Sequence, residues 1–190
     1  MPDAKNKVHY DLTNVHVASV TDGEDGVTFG TPKRLVGAVS MDLSAQDQQT
    51  VLRADGVNYY VFNGNQGYEG DMTVAMVPDW FKAEYLGQTL SSKDKVLVEN
   101  AVTGKAKPFA LLFEFLGDAK NTQHVLYNCL AARPSVTGEN NDNQGTPDTE
   151  AMTLTVSPLL DGRVKASTTD DTPDEVRKAW TTKVWTADSV

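Results

Sequence analysis

Four carboxylates, Glu69, Asp71, Asp79 and Glu114, are the side chains best suited to act as acids or bases, and each lies near a turn signal or inside a strand-like run. Two such groups about 5–9 Å apart would suit glycoside hydrolysis, one protonating the leaving oxygen and the other attacking or activating water. No spacing in the sequence brings two of them together. Glu114 interrupts the apolar run FALLFEF, so it is expected either on a solvated face or inside, paired with Lys or Arg. His9, His16 and His124 share no metal-binding spacing. The lone Cys129 rules out an internal disulfide and, within VLYNCLA, reads as a small buried thiol. The run NGNQGYEG (63–70) is rich in glycine, but it lacks the GK-Ser/Thr ending of a phosphate loop and leads into a strand; a turn or bulge is expected there. Neither a catalytic centre, a metal nor a cofactor is expected.

Binding chemistry is equally sparse. Lys33-Arg34 and Lys105–Lys107 are isolated, and a formal net charge of -9 opposes tight phosphate binding. Trp80, Tyr59, Tyr60 and Tyr68 are able to stack on sugar rings. This supplies an alternative reading, a carbohydrate- or receptor-binding β-sandwich. Aromatics at helical spacing more often fill a core.

The elements that carry these residues are mostly strands. Period-two alternation marks strands over 12–20 and over 35–43, where Leu35, Val39, Met41 and Leu43 share one parity. Between them, 21–32 is dense in Gly, Asp and Thr and reads as a loop. Segment 44–56 is mostly polar, a loop with a short strand at 50–53. A β-branched and aromatic strand follows at 57–62, and Met72, Val74 and Met76 alternate after the glycine-rich joint. The sequence predicts one internal helix at 79–86, with Asp79 as N-cap and Gly87 at the C′ position. So short a helix is marginal alone, so Trp80, Phe81, Tyr85 and Leu86 are expected to pack it onto the sheet. Strands are expected at 108–116, apolar on both faces, and at 123–131, its antiparallel partner. A polar loop covers 137–147, Met152, Leu154 and Val156 form another strand, and Asp161-Gly162 marks a hairpin-type turn. Thr172-Pro173-Asp174-Glu175 reads as a capping box that opens a short C-terminal helix. The sum is a mainly antiparallel β-sandwich or incomplete barrel with one packed helix, plus that second one. It forms a single domain over 1–190, with terminal arms at about 1–11 and 167–190.

No apolar run approaches the roughly 18 residues of a membrane span, and the N-terminus lacks a secretory h-region. Synthesis in a producing cell's cytoplasm is expected.

Four blocks, YYVFNGNQGYEGD, VPDWF, KPFALLFEF and HVLYNCLAARPSV, occur in the order found in the major tail proteins of long-tailed phages of Gram-positive bacteria. From roughly residue 36 to residue 165 the chain resembles that family. The match is loose over the first 30 or so residues and the last 20. The resemblance implies a virion protein of a flexible, non-contractile tail; no additional immunoglobulin-like domain is expected at the C-terminus. Its subunits would form hexameric rings that stack around a tape measure protein, meet tail terminator or distal tail proteins, and let DNA pass without sequence-specific binding. Within it, the stacking element is expected in the loop 44–56, with Ser44, Gln46, Asp47, Gln48, Gln49, Arg53 and Asp55 as its polar contacts.

Overall fold

Residues 5–23, 26–138 and 147–187 are described by a computed structural model. Among the described residues there are eleven strands: β1 (His9–Gly23), β2 (Gly26–Phe29), β3 (Lys33–Arg34), β4 (Ala38–Ala54), β5 (Val57–Val74), β6 (Thr89–Leu90), β7 (Leu97–Val98), β8 (Phe109–Gly117), β9 (Thr122–Ala131), β10 (Glu150–Val156) and β11 (Lys165–Ser167). Two short helices, α1 (Asp79–Glu84) and α2 (Asp174–Ala179), complete the set. Nine strands form one antiparallel sheet of order β2-β1-β8-β9-β10-β5-β4, with β3 beside β1 and β11 beside β9. The sheet does not close into a barrel, so the architecture is an antiparallel sandwich with few helices.

The sheet buries apolar residues on both faces of its centre. On β8, Phe109, Leu111 and Phe113 enter the main core with Met72, Val74, Leu126, Met152 and Leu154, while Ala110 and Leu112 point into a second core. This fits the unbroken apolar run from Phe109. Helix α1 packs on the main core through Phe81, with Tyr85 and Leu86 just past its end; all three are buried, and Trp80 is partly so. Phe81 and Tyr85 both lie against Phe109, with ring centroids 5.4 and 5.2 Å away. The Lys33 ammonium sits 3.7 Å from the Trp80 ring centroid, tying β3 to the helix by a cation–π contact.

The second core is covered by the C-terminal segment. Trp180 and Val184 are buried over Ala18, Ala110, Leu112, Val125 and Tyr127. The Trp180 indole N–H donates to the His124 carbonyl (3.2 Å), and the Tyr127 hydroxyl donates to the Trp185 carbonyl (2.9 Å). Residues 167–187, read from sequence as an arm, therefore lie docked along the sheet.

Several local expectations need correcting. Segment 44–56 is not a loop: β4 runs through it and turns back directly into β5. Nor is 63–70 a turn; it lies within β5, and of its glycines Gly67 serves a bulge. Residues 26–29, expected in a loop, pair with β1 as β2, and Lys33–Arg34 pair with it as β3. Val39 is the extra residue of a bulge between Ala38↔Val74 and Ser40↔Thr73, which throws it out of phase with Leu35 and leaves it exposed. Asp79 is the first helical residue rather than the cap. Pro78 caps α1 without a side-chain hydrogen bond, and Gly87, with φ +75°, lies beyond the C-cap Tyr85. The capping box at Thr172 does not form either: the Thr172 hydroxyl accepts the Thr169 amide, and Pro173 caps α2. Most of the loop 137–147 lies outside the described residues.

Candidate assembly surface

Of the four carboxylates whose chemistry suggested a reaction, Glu69 and Asp71 share a surface, two residues apart on the exposed outer face of β5, whereas Asp79 opens α1 and Glu114 lies on β8. Glu114 is buried, but amides hold it rather than Lys or Arg: the Asn14 and Asn121 side-chain N–H groups donate to its two oxygens, at 2.8 Å and 2.5 Å. Asn14, at φ +51°, occupies a β1 bulge that turns its amide toward the carboxylate. Among the described residues no three His, Cys, Asp or Glu side chains are grouped to hold a metal. His124 stacks on Phe113 (5.0 Å, 15°), and burial, then the charges of Lys165 and His9, lowers its pKa to about 4. The four aromatics of the sugar-binding reading sit apart. Tyr59 and Tyr60 lie on the distal part of the β4–β5 hairpin, Tyr68 packs on the main core beneath Lys165, and Trp80 packs on Phe81 and Tyr85.

What the chain does present is a long two-stranded ribbon. Strand β10 pairs with β5 only from Tyr68 to Val74, so residues 46–65 have no neighbours but each other. At about 3.3 Å per residue this ribbon projects roughly 30 Å. Its tip is the Asp55-Gly56 turn, where φ is +53° and +79°, the two positive values of a type I′ hairpin. The Arg53 Nε–H donates to the Asn58 side-chain oxygen across the strands (3.0 Å). Cross-strand partners share a face, so Thr50 and Leu52 lie with Phe62 and Tyr60, while Gln49 and Val51 lie with Asn63 and Val61. The first face is the more apolar. Leu52 (58%), Tyr60 (61%) and Phe62 (55%) stand open to solvent, with Tyr59 and Val57 exposed beside them toward the tip. Such a contiguous apolar patch marks an interaction site.

Of the predicted stacking residues, Asp47, Gln48, Gln49, Arg53 and Asp55 are on the ribbon, Gln46 is at its root, and Ser44 remains on the body sheet opposite Glu69. Sequence reasoning missed the ribbon's apolar residues as surface groups because Val57–Phe62 has the composition of a buried strand. The Asp-Gly pair between two strand-forming runs was the available signal.

A second surface is notable for what it lacks. On the outer face of β4, β5 and β10, Ser40, Asp42, Ser44, Glu69, Asp71, Thr73, Ala151, Thr153 and Thr155 include no Lys, Arg or aromatic residue. Asp42 and Asp71 are directly opposed, and the Thr153 hydroxyl donates to Asp71 (2.8 Å).

A family model described as phage tail tube protein matches residues 4–187, nearly the whole chain. The chain belongs to the phage tail tube protein family. As a tail tube protein it is a structural component of the virion, located in the tail, and its family implies assembly into a tube with other tail proteins. The family is a structural one. No helix among the described residues is long and apolar enough to cross a membrane. No curated protein matches the chain.

Proposed function

We propose that this tail tube protein forms rings, hexameric as its family resemblance implies, that stack head to tail into the conduit for DNA ejection. The observation that carries this reading is the exposed apolar ribbon, an element too narrow to be stable in water by itself and suited to docking on the next ring. The sheet path ends at β2 and β4, and pairing of these free edges between neighbours would close the ring and remove aggregation-prone edges. The acidic outer face of β4, β5 and β10 is the surface best suited to the lumen, since Asp42, Glu69 and Asp71 repel phosphate and no basic or aromatic group there retains it. A tape measure protein would template the stack, and terminator or distal tail proteins would cap its ends.

Replacing residues 48–63 with a short Asn-Gly turn tests the role of the ribbon. The shortened protein should remain β-rich by circular dichroism and give no tubes in negative stain. Normal tubes from that protein would remove the ribbon from the stacking contact.

A further inference from the structure

The ribbon leaves the body through a defect in its register. Ala45 pairs with Tyr68, but Asp47 pairs with Asn65, so β5 spends three steps where β4 spends two. The extra residue lies at Gln66–Gly67. Gly67 has φ +105°, its amide is held by the Asn65 side chain (2.9 Å), and a Cβ there would lie 1.8 Å from the Val156 carbonyl oxygen. Only glycine fits such a position.

The bulge changes which residues share a side. In the body, Met41 and Leu43 on β4 and Tyr68 and Met72 on β5 face the core. By sequence parity alone Tyr60 and Phe62 belong with Tyr68 and Met72. Were every residue kept and the ladder continued without a bulge, they would stay in the core-facing set, Phe62 opposite Val51 and Tyr60 opposite Arg53. With it, they join Thr50 and Leu52 on the opposite set. The bulge therefore both gathers Leu52, Tyr60 and Phe62 onto one face and takes that face out of phase with the subunit's own core. Two-stranded ribbons twist strongly, so the face rotates further along its length.

We propose that this bulge is an orientation device for self-assembly, presenting the ribbon's aromatic face to a second copy of the chain and denying it to the subunit's own core. This inference rests on the stacking reading above. The occupant follows from area and charge. Leu52, Val57, Tyr60 and Phe62 together expose on the order of 450 Å², more than half of the roughly 800 Å² that each partner contributes to a stable interface. Of the twenty residues 46–65, three are charged (Asp47, Arg53 and Asp55), a depletion typical of an interface core. A member of a tube-forming family meets other copies of itself at high local concentration, and among the described residues this face stands exposed.

Two experiments separate the outcomes. Gly67→Ala denies the bulge its positive φ and its close approach to the Val156 carbonyl, and keeps every residue of the ribbon. That variant should give a β-rich monomer with at least tenfold fewer tubes in negative stain; tubes at the normal yield would overturn the proposal. In case that variant does not fold, Thr50→Cys and Val61→Cys, one on each face, are assembled and treated with a short bismaleimide. Cys129 is fully buried and does not compete. Crosslinks between copies from Thr50→Cys and not from Val61→Cys support the oriented face, whereas equal crosslinking, or crosslinking from Val61→Cys alone, overturns it. If the 48–63 replacement still forms tubes, it is the stacking reading that fails. If that replacement blocks tubes while Gly67→Ala forms them normally, only the orientation device fails.

Discussion

Along the first part of the β4–β5 hairpin, Met41 and Leu43 turn inward with Tyr68 and Met72 while Asp42 and Ser44 turn outward with Asp71 and Glu69. A few rungs further, beyond Gly67, the large apolar residues are Leu52, Tyr60 and Phe62, and they have no cover within the subunit. The same two strands, obeying the same period of two, thus serve a core in one half and an exposed surface in the other. Strand composition alone does not tell these halves apart: VNYYVF is a better strand former than GDMTV, yet GDMTV carries the buried residues. A pleated surface rewards apolar side chains wherever they are finally covered, and the cover need not come from the same chain.

This contrast can be broken at its joint. A Cβ on Gly70 would lie 1.9 Å from the Asp42 carbonyl oxygen, so Gly70→Val should force β4 off β5 in the body half. The expected loss is about 4 kcal/mol or outright failure to fold, read from urea unfolding. The contrast sharpens with paired truncations. Met72→Ala should cost about 2–5 kcal/mol, because it empties a fully buried site. Phe62→Ala should shift the isolated protein's stability by no more than about 0.5 kcal/mol and still abolish tubes. Equal losses from the two would mean that the ribbon is covered within the monomer.

Protonation acts on the body at His124. His124 is held neutral in the folded protein with a pKa of about 4, against 6.5 when exposed, so the unfolded chain binds the proton more readily. Its contribution to stability is complete above pH 6.5, declines as pH falls toward 4, and changes no further below that. The groups around it, Phe113, Phe115, Lys165 and His9, supply no carboxylate to reverse the sign. Stability measured across that window should decline, and His124→Gln should flatten the slope. The smallest effect belongs to the tip. Gly56→Ala introduces a Cβ at φ +79° where nothing lies within 4 Å, so it should cost about 1 kcal/mol by backbone strain alone. Hydrogen exchange should report faster opening of residues 50–62 and no change around Met72.

How legible the fold was depended on how local the determining interaction is. The strands of the centre were readable because Phe109–Phe113 and Met152, Leu154 and Val156 declare their burial in their own composition. The packing residues of α1 were readable from their spacing. The ribbon was not, because the polar stretch SAQDQQT owes its strand conformation to pairing with residues 62–69 and has little strand propensity of its own. Bulges at Val39 and Gln66–Gly67 were invisible as register shifts, since they depend on counting residues in two strands at once. Glu114 shows the same limit: its amide partners come from a β1 bulge a hundred residues away in sequence and from the turn after β8. The C-terminal segment, read as an arm, is held by hydrogen bonds to main-chain carbonyls that leave no signature in the sequence.

Cys129, finally, sits with no solvent exposure between the sheet strands, and burial drives its thiol pKa upward. A phage particle leaves the reducing interior of its host and persists in aerated surroundings. With its single sulfhydryl sealed and almost wholly protonated, the subunit carries no exposed thiol to oxidise or to staple neighbouring particles together, so this residue sets no clock on how long the tail survives outside a cell.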